Sequence, residues 1–139
     1  MDQHLILWPL LAQMLLTLLM YARLALVKKR EFAAGNVDTV KTALHESAWP
    51  ESVIKVNNNL RNQFETPILF YILCFLLWAL RGVDTTTMVI ASVYVATRFA
   101  HATIHTTSNI VKYRFSMFMI SMLLLTILFG FTVKTLAAL

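Results

Sequence analysis

The sequence predicts an all-α protein, a transmembrane bundle of four helices. Hydrophobic residues make up 58% of the 139-residue chain and charged residues 14%, and the mean hydropathy is +0.67. Soluble domains are typically nearer half apolar and a quarter charged. Long uncharged runs recur, and three glycines and three prolines leave little room for linkers. We therefore expect a single membrane domain over residues 1–139.

The first and last predicted helices are clear apolar runs. Residues 5–22 include 18 residues without a charge and predict a helix over about 5–27. A secretory signal is not favoured, because no basic residue precedes this run. Residues 115–133 include 19 uncharged residues, which predict a helix over 114–134. Both runs approach the ~20 residues that a helix needs to cross a bilayer.

The two middle helices are less regular. Residues 66–80 are uncharged, but they reach spanning length only together with residues 60–65, so the predicted helix covers 60–80. Residues 83–107 are apolar enough to span but contain Arg98, His101 and His105. We assign a helix over 84–109, because without a crossing here the connections before and after this segment could not lie on opposite sides of the membrane.

Basic residues predict the orientation of the bundle. The first and third connections together hold eight basic residues, namely Lys28, Lys29, Arg30, Lys41, Lys55, Arg61, Lys112 and Arg114. The opposite side holds only Arg81 and Lys134. Because cytoplasmic loops are enriched in Lys and Arg, both termini are expected outside and loop 28–57 in the cytoplasm. The net charge of +5 is then a topology signal, and no nucleic-acid partner is predicted.

Polar side chains recur at helical spacing near the cytoplasmic side. One stripe on the second helix has Asn58, Arg61, Asn62 and Glu65, and one on the third has Tyr94, Arg98, His101, His105 and Asn109. Arg114 opens the fourth helix on the same side. Ionisable groups at bilayer depth cost ~2.5–3.5 kcal/mol each, so they face the bundle interior. The convergence predicts a polar pocket for an anion, with arginines that match carboxylates and favour a thiolate.

Simpler explanations exist for several of these residues. Glu65 could pair with Arg98 or Arg61 only to hold the bundle together. His101 and His105 have the spacing of a metal pair, but that helix offers no Glu, Asp or Cys beside them, so no metal site is predicted. The single cysteine, Cys74, lies within an apolar run and is expected to be a small buried hydrophobe.

Two short motifs resemble those of a known family. The stretch Arg61-Asn62-Gln63-Phe64-Glu65, followed by an apolar helix, resembles the RNxxE signature of the MAPEG family (membrane-associated proteins in eicosanoid and glutathione metabolism). Arg98-Phe99-Ala100-His101, with Arg114 sixteen residues after Arg98, is similar to the third-helix motif of that family and the start of its fourth helix. The resemblance covers nearly the whole chain.

The resemblance implies a homotrimer in a membrane, here expected to be a bacterial inner membrane. It also implies glutathione as cosubstrate, bound between subunits, and a small hydrophobic electrophile entering from the bilayer. Arg114 would be the catalytic residue, facing the thiol. The glutathione-binding residues would be Arg61, Asn62, Glu65, Arg98, His101 and His105.

The chain departs from the family pattern around the thiol. Eicosanoid-making members have a tyrosine at the position of His105 and hydroxyl side chains where this chain has Phe115 and Phe118, and Lys55 replaces an arginine of some members. We expect a glutathione transferase or peroxidase-like protein. The alternatives are a non-enzymatic structural or binding protein on the same fold, and a small transporter or proton relay using Glu65, His101 and His105.

Overall fold

The computed structural model describes all residues, Met1–Leu139, and contains helices and turns without a strand. Short 3-10 turns cover Gln3–Ile6 and Glu46–Ala48. The α-helices are α1 (Leu7–Ala33), α2 (Thr39–Thr42), α3 (Glu51–Asn62), α4 (Thr66–Ala79), α5 (Thr85–Thr106) and α6 (Val111–Ala137). Four helical segments are long and apolar enough to cross a membrane: Gln3–Ala33, Glu51–Ala79, Thr85–Thr106 and Val111–Ala137. The predicted all-α bundle with four spans is confirmed.

The apolar core lies towards the end of the bundle opposite the basic connection. Phe70 of α4 stacks on Tyr94 of α5, with ring centroids 4.3 Å apart. Eleven buried residues form this cluster, among them Ile6, Leu77, Leu125 and Leu128. Large apolar side chains such as Leu18 and Leu26 remain exposed on the outside. An apolar exterior of this kind is compatible with lipid rather than with water.

The first helix is longer than predicted. It continues to Ala33, so Lys28, Lys29 and Arg30 are helical and the predicted loop 28–57 is too long at this end. Lys and Arg are good helix formers and are favourable near a helix C-terminus. The helix stops in a Schellman motif with Gly35 at a φ of 74°, where the Gly35 N–H donates to Phe32 O and the Asn36 N–H to Glu31 O.

The second predicted helix is two helices joined by a break. α3 begins at Glu51, not residue 60, and ends at Asn62, and α4 begins only at Thr66. The cause is Pro67 near the start of α4: it lacks an N–H, and its ring would clash with the carbonyl of Gln63 in a continuous helix. Because of the break, Glu65 does not continue the helical stripe that contains Asn58 and Asn62, and that part of the prediction is wrong.

The third connection is a tight turn centred on Asn109. α5 ends at Thr106 rather than at the predicted 109, and α6 begins at Val111 rather than at 114. Asn109 takes a left-handed conformation with φ of 53°, and its N–H donates to Ile104 O at 2.7 Å. Asparagine tolerates this conformation better than most residues, which explains how the chain turns without glycine or proline.

The start of α5 is fixed by a capping box. The Asp84 carboxylate accepts from the Thr87 N–H at 2.8 Å, and the Asp84 N–H donates to the Thr87 hydroxyl at 2.9 Å. The bond from the Thr87 backbone holds the pKa of Asp84 below its usual range. This cap therefore stabilises the fold above the ordinary aspartate pKa, and the contribution is lost as the pH falls through the lowered value.

The connection between α4 and α5 gives a testable prediction about backbone strain. Arg81, not Gly82, takes the left-handed position, with φ of 56°. Gly82 instead allows close approach to α6, since a Cβ there would lie 2.7 Å from Thr135 Cγ2. We expect Arg81→Gly to stabilise the protein by about 1 kcal/mol and Gly82→Ala to destabilise it, as measured by thermal unfolding in detergent. If Arg81→Gly lowers the melting temperature, the strain is not at Arg81.

Candidate functional site

A polar pocket of about 330 Å³ opens at the end of the bundle that carries the basic connection. It lies between α3, α5 and the start of α6. It brings together four of the seven predicted site residues, Asn62, His101, His105 and Arg114, with Asn58 from the same face of α3. Val111, Phe115 and Phe118 complete the lining on the α6 side. No acidic side chain is part of it.

The polar stripe on α5 is observed as one buried face. Tyr94, Arg98, His101 and His105 are spaced four, three and four residues apart, and all are buried in the bundle. Because residues at this spacing share a face of a helix, α5 directs them together towards α3 and α6. Asn109 lies beyond the end of the helix, in the turn that leads to α6.

The two histidines are oriented by Arg114. His101 Nδ1 lies 3.0 Å from the Arg114 carbonyl oxygen, so Nδ1 carries the proton that donates to it. His101 Nε2 has no partner within the chain and is left as an acceptor in the neutral ring. His105 Nε2 lies 3.3 Å from Arg114 Nη1 and must accept from it, which places the proton of neutral His105 on Nδ1.

Arg114 itself is held in place by its neighbours. Its Nη1 donates to Asn109 Oδ1 at 2.8 Å as well as to His105. Both contacts use Nη1, and no carboxylate pairs with this guanidinium. A cation in the first turn of a helix is unfavourable against the helix dipole, and α6 begins without a side-chain cap. The first turn of α6 therefore combines free N–H groups with an unpaired arginine, an arrangement that favours an anion.

Arg98 lies behind the pocket rather than in its lining. Its side chain is 0% exposed, and Nη2 donates to the carbonyl oxygen of Asn62 at 3.2 Å. This carbonyl ends α3 at the break and has no partner in its own helix. Arg98 Nε and Nη1 have no hydrogen-bond partner in the chain. Arg98 thus fixes the end of α3, on which Asn62 is presented to the pocket.

Arg61 and Glu65 do not line the pocket within one subunit. Arg61 pairs with Glu46 of the 3-10 turn, and both side chains are largely exposed. Glu65 is exposed and forms no ion pair. The expected ion pair of Glu65 with Arg98 or Arg61 is not formed in the structure. The break before Pro67 explains why Glu65 is turned away from the predicted stripe.

A buried amide network supports α3 and was not predicted from the sequence. Gln13 Nε2 of α1 donates to Gln63 Oε1 at 3.0 Å, and Gln63 Nε2 donates to Asn59 Oδ1 at 3.2 Å. All three side chains are buried. The one feature of the sequence that indicates this network is Gln13, a polar residue in the middle of the first apolar run. The network ties α1 to the break between α3 and α4, next to the pocket.

Two further contacts complete the surroundings of the pocket. Arg23 of α1 donates through Nη2 to Thr106 O at 3.0 Å, satisfying a carbonyl in the last turn of α5. The rings of His101 and His105 lie 5.7 Å apart. No group of three or more His, Cys, Asp or Glu side chains is close enough to hold a metal ion.

Comparison with known proteins identifies the family. The profile of the MAPEG family matches residues 6–134 of the 139-residue chain. No curated protein matches the chain, and no solved structure does so. The matched range includes all four candidate membrane spans apart from a few terminal residues. The chain is an integral membrane protein that belongs to the MAPEG family.

Proposed function

We propose that this protein binds glutathione in the polar pocket and transfers it to small hydrophobic electrophiles, or reduces them with it. The observation that carries the proposal is Arg114, a half-buried cation without an acidic partner at the wall of the pocket. Around it stand two histidines and two asparagines, and no carboxylate repels an anion. Membership of the MAPEG family supports glutathione as the anion.

The pocket offers suitable groups for a tripeptide with carboxylates and a thiol. Asn58 and Asn62 supply amide donors and acceptors. The uncapped start of α6 at Val111 supplies backbone N–H groups for a negative charge. The volume of about 330 Å³ is at the lower end of the range for small-molecule sites.

The chemistry follows from the position of Arg114. A guanidinium beside the thiol favours the thiolate, which is the nucleophilic form. Water at the open mouth of the pocket can accept the proton that the thiol loses. The thiolate sulfur then forms a bond to the electrophilic carbon, and the displaced electron pair leaves with the leaving group. Phe115 and Phe118 give the pocket an apolar wall for such an electrophile.

We also propose that the functional unit is a homotrimer with the site shared between subunits. Arg61 and Glu65 support this, because both are exposed and outside the pocket of their own subunit. In a shared site, they could reach a ligand held by a neighbouring subunit. The basic first connection supports placing this end of the bundle in the cytoplasm, with both termini outside. A bacterial inner membrane remains part of the proposal.

Binding of glutathione to the trimer tests the proposal. We expect saturable binding by calorimetry in nanodiscs, and a trimer by native mass spectrometry. Asn62→Asp should weaken binding about tenfold or more, because it puts a like charge beside the anion. Asn36→Asp is the matched control, since Asn36 is exposed in the loop after α1, and should bind like the parent. A parent protein that does not bind glutathione would refute the proposal.

The alternative is a non-enzymatic protein that binds the same ligand without activating it. Phe115 and Phe118 favour it, because they line the pocket but supply no hydroxyl donor near the thiol. The two functions differ in the ionisation of the bound thiol. A binding protein would hold glutathione with an ordinary thiol, whereas a transferase would hold it as the thiolate.

A further inference from the structure

A second pocket, of about 300 Å³, shares the side chain of Asn58 with the first. We call it the Lys28 pocket. It is enclosed by the end of α1, the 3-10 turn Glu46–Ala48 and the start of α3. Its polar lining consists of Lys28, Glu46, Ser47, Asn57 and Asn58, with Trp49 as its aromatic wall. Apart from Asn58, which also lines the first pocket, the proposed function uses none of these residues.

The ammonium group of Lys28 is the free charge in this pocket. It lies 4.4 Å from the centroid of the Trp49 ring, over its face. Lys28 forms no ion pair, whereas the one acid of the lining, Glu46, is paired with Arg61. The pocket thus keeps one uncompensated cation. Ser47 and Asn57 add neutral hydrogen-bond donors.

The pocket lies at the depth expected for lipid headgroups, at the end of the apolar run of α1. Lys28 follows the apolar run of α1 and lies five residues after Arg23, which is about 7.5 Å further along the helix. Trp49 packs edge-on against Phe32, with ring centroids 5.7 Å apart. Tryptophan rings and basic side chains at the end of a spanning helix are typical of the membrane–water interface. Lys29 and Arg30, which follow Lys28 in α1, are both exposed.

We propose that the Lys28 pocket binds the phosphate of an anionic phospholipid. Lys28 would pair with the phosphate, and the Asn57 amide and the Ser47 hydroxyl would donate to its oxygens. Trp49 and Phe32 would contact the glycerol and upper acyl chain. Basic pockets between membrane helices are suited to anionic headgroups. A lipid is favoured over a free phosphate because aromatic residues form one side of the site.

Native mass spectrometry of delipidated protein tests this proposal, with phosphatidylglycerol and phosphatidylcholine of identical acyl chains. We expect preferential retention of phosphatidylglycerol. Lys28→Gln should weaken its binding about fivefold or more and leave phosphatidylcholine unchanged. Lys29→Gln is the matched control, because it removes the same charge from an exposed neighbour outside the pocket. Its effect should stay below about twofold, and Lys28→Arg should retain binding.

Three results would overturn the proposal. Equal losses in the two glutamine variants would show diffuse surface attraction rather than a site. Equal retention of the two lipids would remove the role of the headgroup charge. Displacement of the lipid by millimolar glycerol phosphate or inorganic phosphate would identify a site for soluble phosphates. Glutamine is a good helix former, so both variants should keep α1 intact, which circular dichroism would verify.

Discussion

Arg114→Ala is expected to reduce thiolate formation in bound glutathione strongly while leaving the protein folded and the ligand bound. A free thiol has a pKa near ~8.5, which neighbouring cations can lower to ~3.5–7.5. Arg114 is the one guanidinium in the pocket lining and has no carboxylate partner. We expect the thiolate absorbance and the conjugation rate each to fall about tenfold or more, the equivalent of about one pKa unit. Ultraviolet difference spectra and single-turnover kinetics would measure both.

Two variants make the Arg114 experiment specific. Lys112→Ala removes the same charge from the same helical turn, but Lys112 is exposed and does not line the pocket. It should behave like the parent. Arg114→Lys should recover part of the charge effect but lose the fork that contacts Asn109 and His105. A thiolate signal unchanged in Arg114→Ala would leave Arg114 without a catalytic role.

Arg98→Met is expected to weaken glutathione binding while leaving the free energy of unfolding nearly unchanged. Burying the guanidinium costs ~2.5–3.5 kcal/mol at bilayer depth. Its hydrogen bond to Asn62 O stabilises the fold by ~1.5–3 kcal/mol. These terms nearly cancel, so the free energy of unfolding should stay within about 1 kcal/mol of the parent. Binding of glutathione should fall about tenfold or more, because the end of α3 that presents Asn62 loses its anchor.

The control for Arg98→Met is a destabilising change far from the pocket. Leu77 is 0% exposed in the core at the opposite end of the bundle. Leu77→Ala should cost about 2–5 kcal/mol and leave glutathione affinity unchanged. If Arg98→Met unfolds the protein, Arg98 is a structural residue. If the variant is stable and binds glutathione like the parent, Arg98 does not position Asn62.

The fold could be predicted largely because membrane helices are set by composition and length. The apolar runs located all four spans, but their ends depended on local backbone chemistry. α1 runs six residues beyond its predicted end and stops only at Gly35, in a Schellman motif. Pro67 divided the second span into α3 and α4, because its ring cannot be accommodated over the Gln63 carbonyl in a continuous helix. Helix ends are determined by such single residues, which average hydropathy does not detect.

The site could be predicted only where helical periodicity continued without interruption. The spacing on α5 brought Arg98, His101 and His105 to one face, because that helix is unbroken. The same argument failed for Glu65, which lies beyond the break. The network of Gln13, Gln63 and Asn59 depends on the packing of α1 against α3, and periodicity within one helix carries no information about that contact.

The ionisation of glutathione bound to the parent protein tests the central proposal most directly. Protein in nanodiscs, saturated with glutathione, would be titrated with base while the thiolate absorbance is recorded, with S-methylglutathione as the reference. We expect the bound thiol to ionise at least one pH unit below the ~8.5 of a free thiol. A bound thiol that titrates at the free value, or a protein that binds no glutathione, would contradict the proposed transferase function.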